Sequence, residues 1–283
     1  MPKYTIERKS TDCIAVRCGE TWGPGDEQWF LLQADVHWDN PHCVRRLYKK
    51  HLDQAIERDA GIFKFGDTFC AMQGNFDKRS SKESLRPEHQ SINYFDALVD
   101  TAAEYHEPYK SHHILISEGN HETSIIKHHE TNLVKRLASK LNVEAMGYTG
   151  FVRFLFTRKT GGRASRVAYF NHGYGGGGPV TKGVIQSNRR AVFLPDADFV
   201  VTGHIHERWD LSIPRLRVNA QGRTYLDEQV HIQLPTYKDE YNMAGGWHIE
   251  RGGPPKPLGA TWLRFFYDTD FPQNIGFEVI GAR

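Results

Sequence analysis

The sequence predicts an α/β fold, and three features of its pattern indicate this class. Short apolar runs of strand length alternate with amphipathic segments of helix length over the first two thirds of the chain. Several of these apolar runs end next to acidic, amide or imidazole side chains, often beside a Gly. Beyond residue 206 the pattern changes to short β-like segments separated by Gly-rich loops. Strands that alternate with helices and are followed by further strands are typical of α/β and α+β domains.

Length and composition indicate a soluble globular protein. The chain has 283 residues, of which 39% are hydrophobic and 25% charged. It contains no internal repeat and no low-complexity linker, so we expect a single domain over residues 1–283, with its core at about 26–210 and a β-rich part at 211–283. The net charge of +2 does not by itself indicate a nucleic-acid-binding surface.

Cysteine usage and the N-terminus lead us to expect a cytoplasmic protein. The four cysteines form no CxxC pair, which argues against a zinc ribbon, and nothing in their spacing demands disulfides. Residues 1–10 are charged and lack the apolar segment of a signal peptide. Because no apolar run approaches membrane-spanning length, we expect no membrane association.

The first elements predicted are an edge hairpin and a strand that leads into a polar cluster. Residues 4–8 and 13–17 alternate as hairpin strands do, and the apolar run 29–32 then leads to Asp35 and His37. On an extended strand end, this spacing places both side chains on one face. A carboxylate beside an imidazole is either a pair of metal ligands or a simple hydrogen-bonded pair.

Next come a helix, a strand and a polar insertion. Asn40 and Pro41 predict a helix start, as N-cap and first helical residue, and this helix ends near Gly61. The strand 62–65 then ends at Asp67. The following segment, 71–89, is polar and is either a solvated loop or a cationic contact for an anionic substrate, through Lys78, Arg79, Lys82 and Arg86.

The stretch Gly119-Asn120-His121-Glu122 is the centre of the prediction. It follows a helix at 91–105 and an apolar strand at 114–116, and it precedes a helix at 123–140. An amide oxygen can ligate a hard cation, and an imidazole can ligate a metal or carry a proton. The alternative for Asn120 and His121 is a turn followed by a helix cap.

The second half of the chain supplies three more histidines at strand ends. The strand 167–170 leads to His172, and the strand 199–202 leads to His204 and His206. The Gly-rich loop at 173–178 is not a P-loop, because its sequence lacks the Gly-Lys-Ser/Thr ending, and it is either a close backbone approach or a hinge.

These strand-end residues fit a site for two metal ions that share one carboxylate. The first ion takes Asp35, His37, Asp67 and His206, whereas the second takes Asp67, Asn120, His172 and His204. We therefore expect Asp67 to bridge the pair and to be essential for catalysis. His121 faces the site without being a ligand, and we predict that it acts as a general acid or stabilises the leaving oxygen.

The series of motifs resembles that of the calcineurin-like metallophosphoesterases. It consists, in the family's order, of Asp35-Val36-His37, Gly66-Asp67-Thr68, Gly119-Asn120-His121-Glu122, Asn171-His172-Gly173 and Gly203-His204-Ile205-His206. The resemblance implies a four-layer α-β-β-α sandwich of two mixed sheets, with residues 211–283 completing the second sheet. It also implies phosphoester hydrolysis, in which a metal-bridging hydroxide attacks phosphorus.

The details of the motifs favour the nuclease and phosphodiesterase branch of that family. Phe69 and Cys70 stand where protein phosphatases carry an Arg-bearing turn, and the turn at 39–41 and the segment 235–238 resemble phage-encoded members, for which the host cytoplasm is the expected location. A DNA or RNA substrate would be gripped by the 78–86 loop, by Arg189 and Arg190, and by a C-terminal group of aromatic and basic residues, Trp247, Arg251, Trp262 and Arg264.

Two other functions are compatible with the same motifs. One is a phosphomonoesterase acting on a protein or a nucleotide, and the other is a binding module that keeps the fold without catalysis. The mixed nitrogen and oxygen ligands suit two divalent ions, for which Mn is the first expectation and Fe, Zn or Ni also fit. Oligomeric state is not predicted from these residues.

Overall fold

A computed structural model describes residues 2–71, 85–159, 161–178, 180–242, 247–250 and 252–282. The strands are β1 (Tyr4–Ser10), β2 (Cys13–Cys18), β3 (Glu27–Gln33), β4 (Gly61–Phe65), β5 (His113–Ser117), β6 (Glu144–Met146), β7 (Thr149–Thr157), β8 (Arg163–Asn171), β9 (Phe199–Thr202), β10 (Trp209–Val218), β11 (Thr224–Gln233), β12 (Thr261–Tyr267) and β13 (Ile275–Gly281). The helices are α1 (Arg45–Glu57), α2 (Tyr94–His106), α3 (Asn120–His129), α4 (Leu133–Leu141), α5 (Ile185–Phe193) and α6 (Trp247–Glu250).

The strands form two mixed sheets. The seven-stranded sheet has the order β1-β2-β7-β8-β9-β11-β10, and the six-stranded sheet has the order β13-β12-β3-β4-β5-β6. β3, β4 and β5 are parallel neighbours, as are β8 and β9, so their carboxyl ends lie at common sheet edges. The polar residues that follow these strands are thereby brought to one side of the molecule.

Apolar side chains on alternating strand positions hold the sheets and helices together in four layers. Phe30 and Phe63 point between the sheets, where their rings lie 5.7 Å apart. Leu31 and Ile62, one position away in sequence, point outward and pack with residues of α1, α2 and α4. On the outer face of the seven-stranded sheet, Val200 packs with residues beyond α5. The predicted α-β-β-α sandwich of two mixed sheets is confirmed.

Several predicted boundaries are wrong. α1 begins at Arg45 instead of Asn40, because Asn40 Oδ1 accepts the His42 N–H in a local turn. The helix expected at 123–140 is divided into α3 and α4, since Glu130 adopts a left-handed conformation with φ of 53°. The strands of the C-terminal part are shared between both sheets, with β10 and β11 in one and β12 and β13 in the other. Within the described ranges, no helix has both the length and the apolar character needed to cross a membrane.

Lys64 on β4 is a charged residue type in a fully buried position. Its Nζ lies 2.6 Å from His106 Nε2, which is also 2.6 Å from the Tyr48 hydroxyl. Burial holds the pKa of Lys64 well below its usual range. At neutral pH, Lys64 is readily protonated in the unfolded chain, whereas its protonation in the buried folded position costs free energy. This difference destabilises the folded protein.

We expect Lys64→Met to stabilise the protein by about 1–3 kcal/mol at neutral pH, since Met fills similar space without burying a charge. The loss of stability that the buried lysine causes in the wild-type protein is complete at pH values below its depressed folded pKa. It disappears as the pH rises above the pKa of lysine in the unfolded chain. The gain measured by urea unfolding should therefore shrink as pH approaches about 10.5. Exposed Lys50→Met is the control, and an equal gain at every pH would contradict the explanation.

Candidate metal centre

Five of the seven predicted ligands lie in loops that follow strands and have an unusual backbone conformation. Asp35, His37, Asp67, His204 and His206 all have φ between 48° and 72°, in the left-handed region that non-glycine residues seldom adopt. The expectation that Asp35 and His37 share a face of an extended strand is therefore wrong, because β3 ends at Gln33. Clustered backbone strain of this kind is found where the surrounding structure holds functional side chains in place.

Main-chain hydrogen bonds join the first two of these loops beyond the ends of β3 and β4. Asp35 N donates to Gly66 O at 3.1 Å, and His37 N donates to Asp67 O at 3.0 Å. Gly119 permits a close approach to the second loop, since a Cβ atom there would lie 2.1 Å from Asp67 Oδ1. Gly119 in the central motif is thus required by packing against Asp67.

The first group of metal-ligating side chains consists of Asp35, His37 and His206. His206 Nε2 lies 3.2 Å from Asp35 Oδ1 and 3.3 Å from His37 Nε2. His37 Nε2 lies 4.0 Å from the same carboxylate oxygen. Burial lowers the pKa of His37 well below its ordinary value, which favours the neutral imidazole that binds metals.

The second group consists of Asp67, Asn120, His172 and His204. His172 Nε2 lies 3.1 Å from Asp67 Oδ2 and 3.1 Å from Asn120 Oδ1. The same amide oxygen lies 2.8 Å from His204 Nδ1. His172 Nδ1 donates to the Phe65 carbonyl at 2.8 Å, which directs Nε2 into the group.

The raised pKa of His172 indicates that the second group attracts positive charge. Burial would lower the pKa, but the carboxylates of Asp67 and Asp35 outweigh it and raise it to about 10. A proton on Nε2 thus balances the buried carboxylates in the metal-free chain. A cation bound by the same atoms would replace that proton, as metal binding to histidine commonly does.

The two groups adjoin and fit divalent cations. Asp35 Oδ1, which belongs to the first group, lies only 3.9 Å from His172 Nε2 of the second. It is buried and has no hydrogen-bond partner among the described residues, although three imidazole nitrogens surround it. A cation ligated by this oxygen would satisfy it. The donor set of imidazoles, carboxylates and one amide suits Mn, Fe, Zn or Ni.

All seven predicted ligands therefore lie together, in two groups. Groups of three side chains whose ligand atoms lie within 4.8 Å of one another are formed by Asp35, His37 and His206, and by Asp67, His172 and His204. Asp67 belongs to the second of these groups, and its bridging role remains a prediction.

His121 lies at the margin of the site. Its Nδ1 donates to the Cys70 carbonyl at 2.6 Å, and its Nε2 lies 3.8 Å from Asp67 Oδ2. Burial would lower its pKa, but Asp67 and the Cys70 contacts outweigh that effect and raise it to about 10. A protonated imidazole held beside the ligands is suited to donate a proton.

Two buried carboxylates that were not predicted as site residues hold the loop that carries Asp67. Glu122 accepts N–H groups from Asp67 at 3.1 Å, Phe69 at 2.9 Å and Gly119 at 2.8 Å. Asp39 accepts the Cys70 N–H at 2.6 Å and the Ala71 N–H at 2.8 Å. A glutamate at the third position of a helix is a recognisable capping signal, but its bonds to a distant loop have no signature in sequence.

The predicted cationic contacts for substrate are only partly described. Lys78, Arg79 and Lys82 lie outside the described residues. Arg86 has a structural role, because its guanidinium donates to the carbonyls of Asn40, Pro41 and Cys43 at 3.0–3.2 Å. Arg190 is buried and lies under the ring of Tyr174, whereas Arg189 is exposed.

Of the four C-terminal residues expected to grip nucleic acid, the two whose side chains the structure describes are engaged within the protein. Trp262 is 2% exposed and packs edge-on against Trp29, so it cannot stack on a base. Arg264 is paired with Glu27 at 2.8 Å and Glu278 at 3.0 Å. The side chain of Trp247 and the whole of Arg251 lie outside the described residues.

Comparisons with known proteins leave the family open. No protein-family model matches the sequence, and no curated protein matches it. Solved structures do match, among them GAP50 of Plasmodium, described as the anchor in the inner membrane complex, at 9% identity and a TM-score of 0.46, covering 90% of this chain and 84% of that chain. Vps29 of Entamoeba histolytica complexed with zinc matches at 10% identity and a TM-score of 0.34, covering 90% and 99%.

A third match is the calcineurin-like phosphoesterase YfkN of Bacillus subtilis, at 9% identity and a TM-score of 0.36, covering 90% of each chain. All three TM-scores are below 0.5, so the function of this chain is inferred from its own residues.

Proposed function

We propose that the chain is a metal-dependent phosphoester hydrolase of the calcineurin-like type that holds two divalent ions, with Mn as the first expectation. The observation that carries this proposal is the pair of adjoining ligand groups, in which Asp35 Oδ1 lies within 3.9 Å of His172 Nε2. Two-metal sites of nitrogen and oxygen ligands are characteristic of enzymes that cleave phosphoesters.

Each ligand has a role in this proposal. Asp35, His37 and His206 would hold one ion, and Asn120, His172 and His204 would hold the other, with Asp67 available to both. Such ions neutralise phosphate oxygens and lower the pKa of water to a value at which it is a nucleophile at neutral pH. The buried and hydrogen-bonded positions of Asp35 and His172 keep both side chains oriented before substrate arrives.

His121 supplies the proton in this proposal. Its Nδ1 is fixed to the Cys70 carbonyl, so Nε2 is the nitrogen directed to the reacting groups. A proton delivered from Nε2 to the departing oxygen neutralises the charge that develops there.

We expect His121→Ala to bind the same number of metal ions but to lower kcat by about 10²–10⁴-fold, because a positioned proton donor is lost. Metal content by plasma emission and steady-state kinetics measure the two properties separately. The control is His128→Ala, an exposed histidine on the same helix, α3. Loss of metal from His121→Ala would make this residue a ligand and remove its role as proton donor.

The more specific proposal is that the substrate is a phosphodiester, such as the backbone of DNA or RNA. It is supported by the resemblance of the segment 66–69 to the phosphodiesterase branch and by the absence of a phosphatase-type Arg after it. Of the two arginines that come next in sequence, Arg79 lies outside the described residues, and the guanidinium of Arg86 donates to three main-chain carbonyls. A diester carries one negative charge fewer than a monoester dianion and so depends less on an added arginine.

Hydrolysis of bis-p-nitrophenyl phosphate and p-nitrophenyl phosphate with added Mn²⁺, with single-stranded and duplex DNA in parallel, tests both levels of the proposal. Chelator-sensitive turnover of the diester and of DNA is the expected result. Turnover of the monoester alone would leave a phosphatase, and turnover of neither by protein with two bound metals would leave a binding module.

A further inference from the structure

We propose that Cys70, His37 and His121 form a third cation position, which selects thiophilic divalent ions such as Zn²⁺ or Cd²⁺. One ligand atom from each of these three side chains lies within 4.8 Å of the other two. An ion with bonds of roughly 2.0–2.3 Å holds its ligand atoms about 3.5 Å apart, so the three side chains need to move inward by only about 1 Å.

Each side chain is held in a way that suits ligation. The Cys70 residue is 4% exposed, and its Sγ accepts a hydrogen bond from Asn40 Nδ2 at 3.4 Å. His37 is 2% exposed, and its Nδ1 has no hydrogen-bond partner among the described residues. His121 donates from Nδ1 to the Cys70 carbonyl, so Nε2 is the remaining ring nitrogen, and an ion bound there would displace its proton.

The backbone around Cys70 is fixed as firmly as that of the other ligands. Asp39 accepts the N–H groups of Cys70 and Ala71, and it also accepts the Tyr94 hydroxyl at 3.2 Å. Ala71 itself has a φ of 47°. The thiol is therefore presented to the two imidazoles by a turn that a buried carboxylate maintains.

The sulfur decides which ion this position takes. The groups around Asp35 and Asp67 offer only nitrogen and oxygen, whereas this one adds a thiolate. Thiolates select Zn²⁺ and heavier thiophilic ions, while Mn²⁺ and Mg²⁺ prefer oxygen-rich sites. We expect Mn²⁺ to fill the first two groups and thiophilic ions to compete at the third.

The functional consequence rests on the proposed hydrolase activity. An ion at the third position would take His37 from the first group and would displace the Nε2 proton that His121 needs as a proton donor. Zn²⁺ or Cd²⁺ should therefore inhibit the Mn²⁺-supported reaction, and Cys70→Ser should weaken this inhibition by at least roughly tenfold.

The deciding experiment is Co²⁺ titration of the metal-free protein followed by near-ultraviolet absorption, because thiolate ligation of Co²⁺ produces a charge-transfer band. We expect this band in the wild-type chain and in Cys13→Ser, whose cysteine lies on β2, and its loss in Cys70→Ser and Cys70→Ala. Cd²⁺ should displace Co²⁺ from the same position.

Absence of the band from Co²⁺-saturated wild-type protein would overturn the proposal without any variant. Survival of the band in folded Cys70→Ser, as judged by circular dichroism, would assign it to another cysteine and overturn it equally. The band is read without hydrolysis, so an inactive protein that shows it would refute the proposed function and leave the third position standing.

Discussion

Asp67→Asn should abolish hydrolysis, with kcat lowered roughly 10³-fold or more. Asp67 Oδ2 lies 3.1 Å from His172 Nε2 and 3.8 Å from His121 Nε2. A single carboxylate is therefore close both to a proposed metal ligand and to the proposed proton donor. Its Oδ1 accepts the His121 N–H at 3.0 Å. Asparagine removes the negative charge. It also replaces one of the two carboxylate oxygens by an amide nitrogen, which is a hydrogen-bond donor and would face another donor.

Kinetics and metal content of Asp67→Asn should be measured together with those of Asp100→Asn, an exposed aspartate on α2. We expect the control to behave as wild type and Asp67→Asn to lose at least one metal ion. An active Asp67→Asn protein with full metal content would falsify the assignment of Asp67 as the shared ligand.

Glu122→Ala should have the largest effect on folding among the site substitutions. Three buried N–H groups, of Asp67, Phe69 and Gly119, bind the Glu122 carboxylate. Each unsatisfied buried donor costs about 1–3 kcal/mol, so a loss of about 3–5 kcal/mol is expected after partial hydration. Glu122→Gln keeps one acceptor oxygen and should lose less stability, but it should still weaken metal binding by about 10–100-fold.

Urea unfolding of both variants measures the stability term, and Mn²⁺ titration of Glu122→Gln measures the metal term. Exposed Glu104→Ala on α2 is the matched control. Wild-type metal affinity in a Glu122→Gln protein would show that this carboxylate stabilises the fold without positioning Asp67.

The sequence by itself determined the class of fold and the identity of the candidate ligands. Each of the seven follows an apolar run of strand length, and side-chain chemistry limits the residue types that can hold a cation. The strands that end in these residues are parallel neighbours or belong to facing sheets, so a repeated local pattern was sufficient to predict that Asp35, Asp67 and His172 converge.

The tertiary structure decided how those ligands are held and what else surrounds them. The left-handed conformations of Asp35 and His37 depend on hydrogen bonds to residues 66 and 67, which lie about thirty positions away and leave no local signal. The same holds for Glu122 clamping the Asp67 loop and for Cys70 meeting His37. The burial of Trp262 likewise depends on the neighbouring strand. An aromatic residue near a basic one gives the same local sequence pattern whether it packs into the core or faces a ligand.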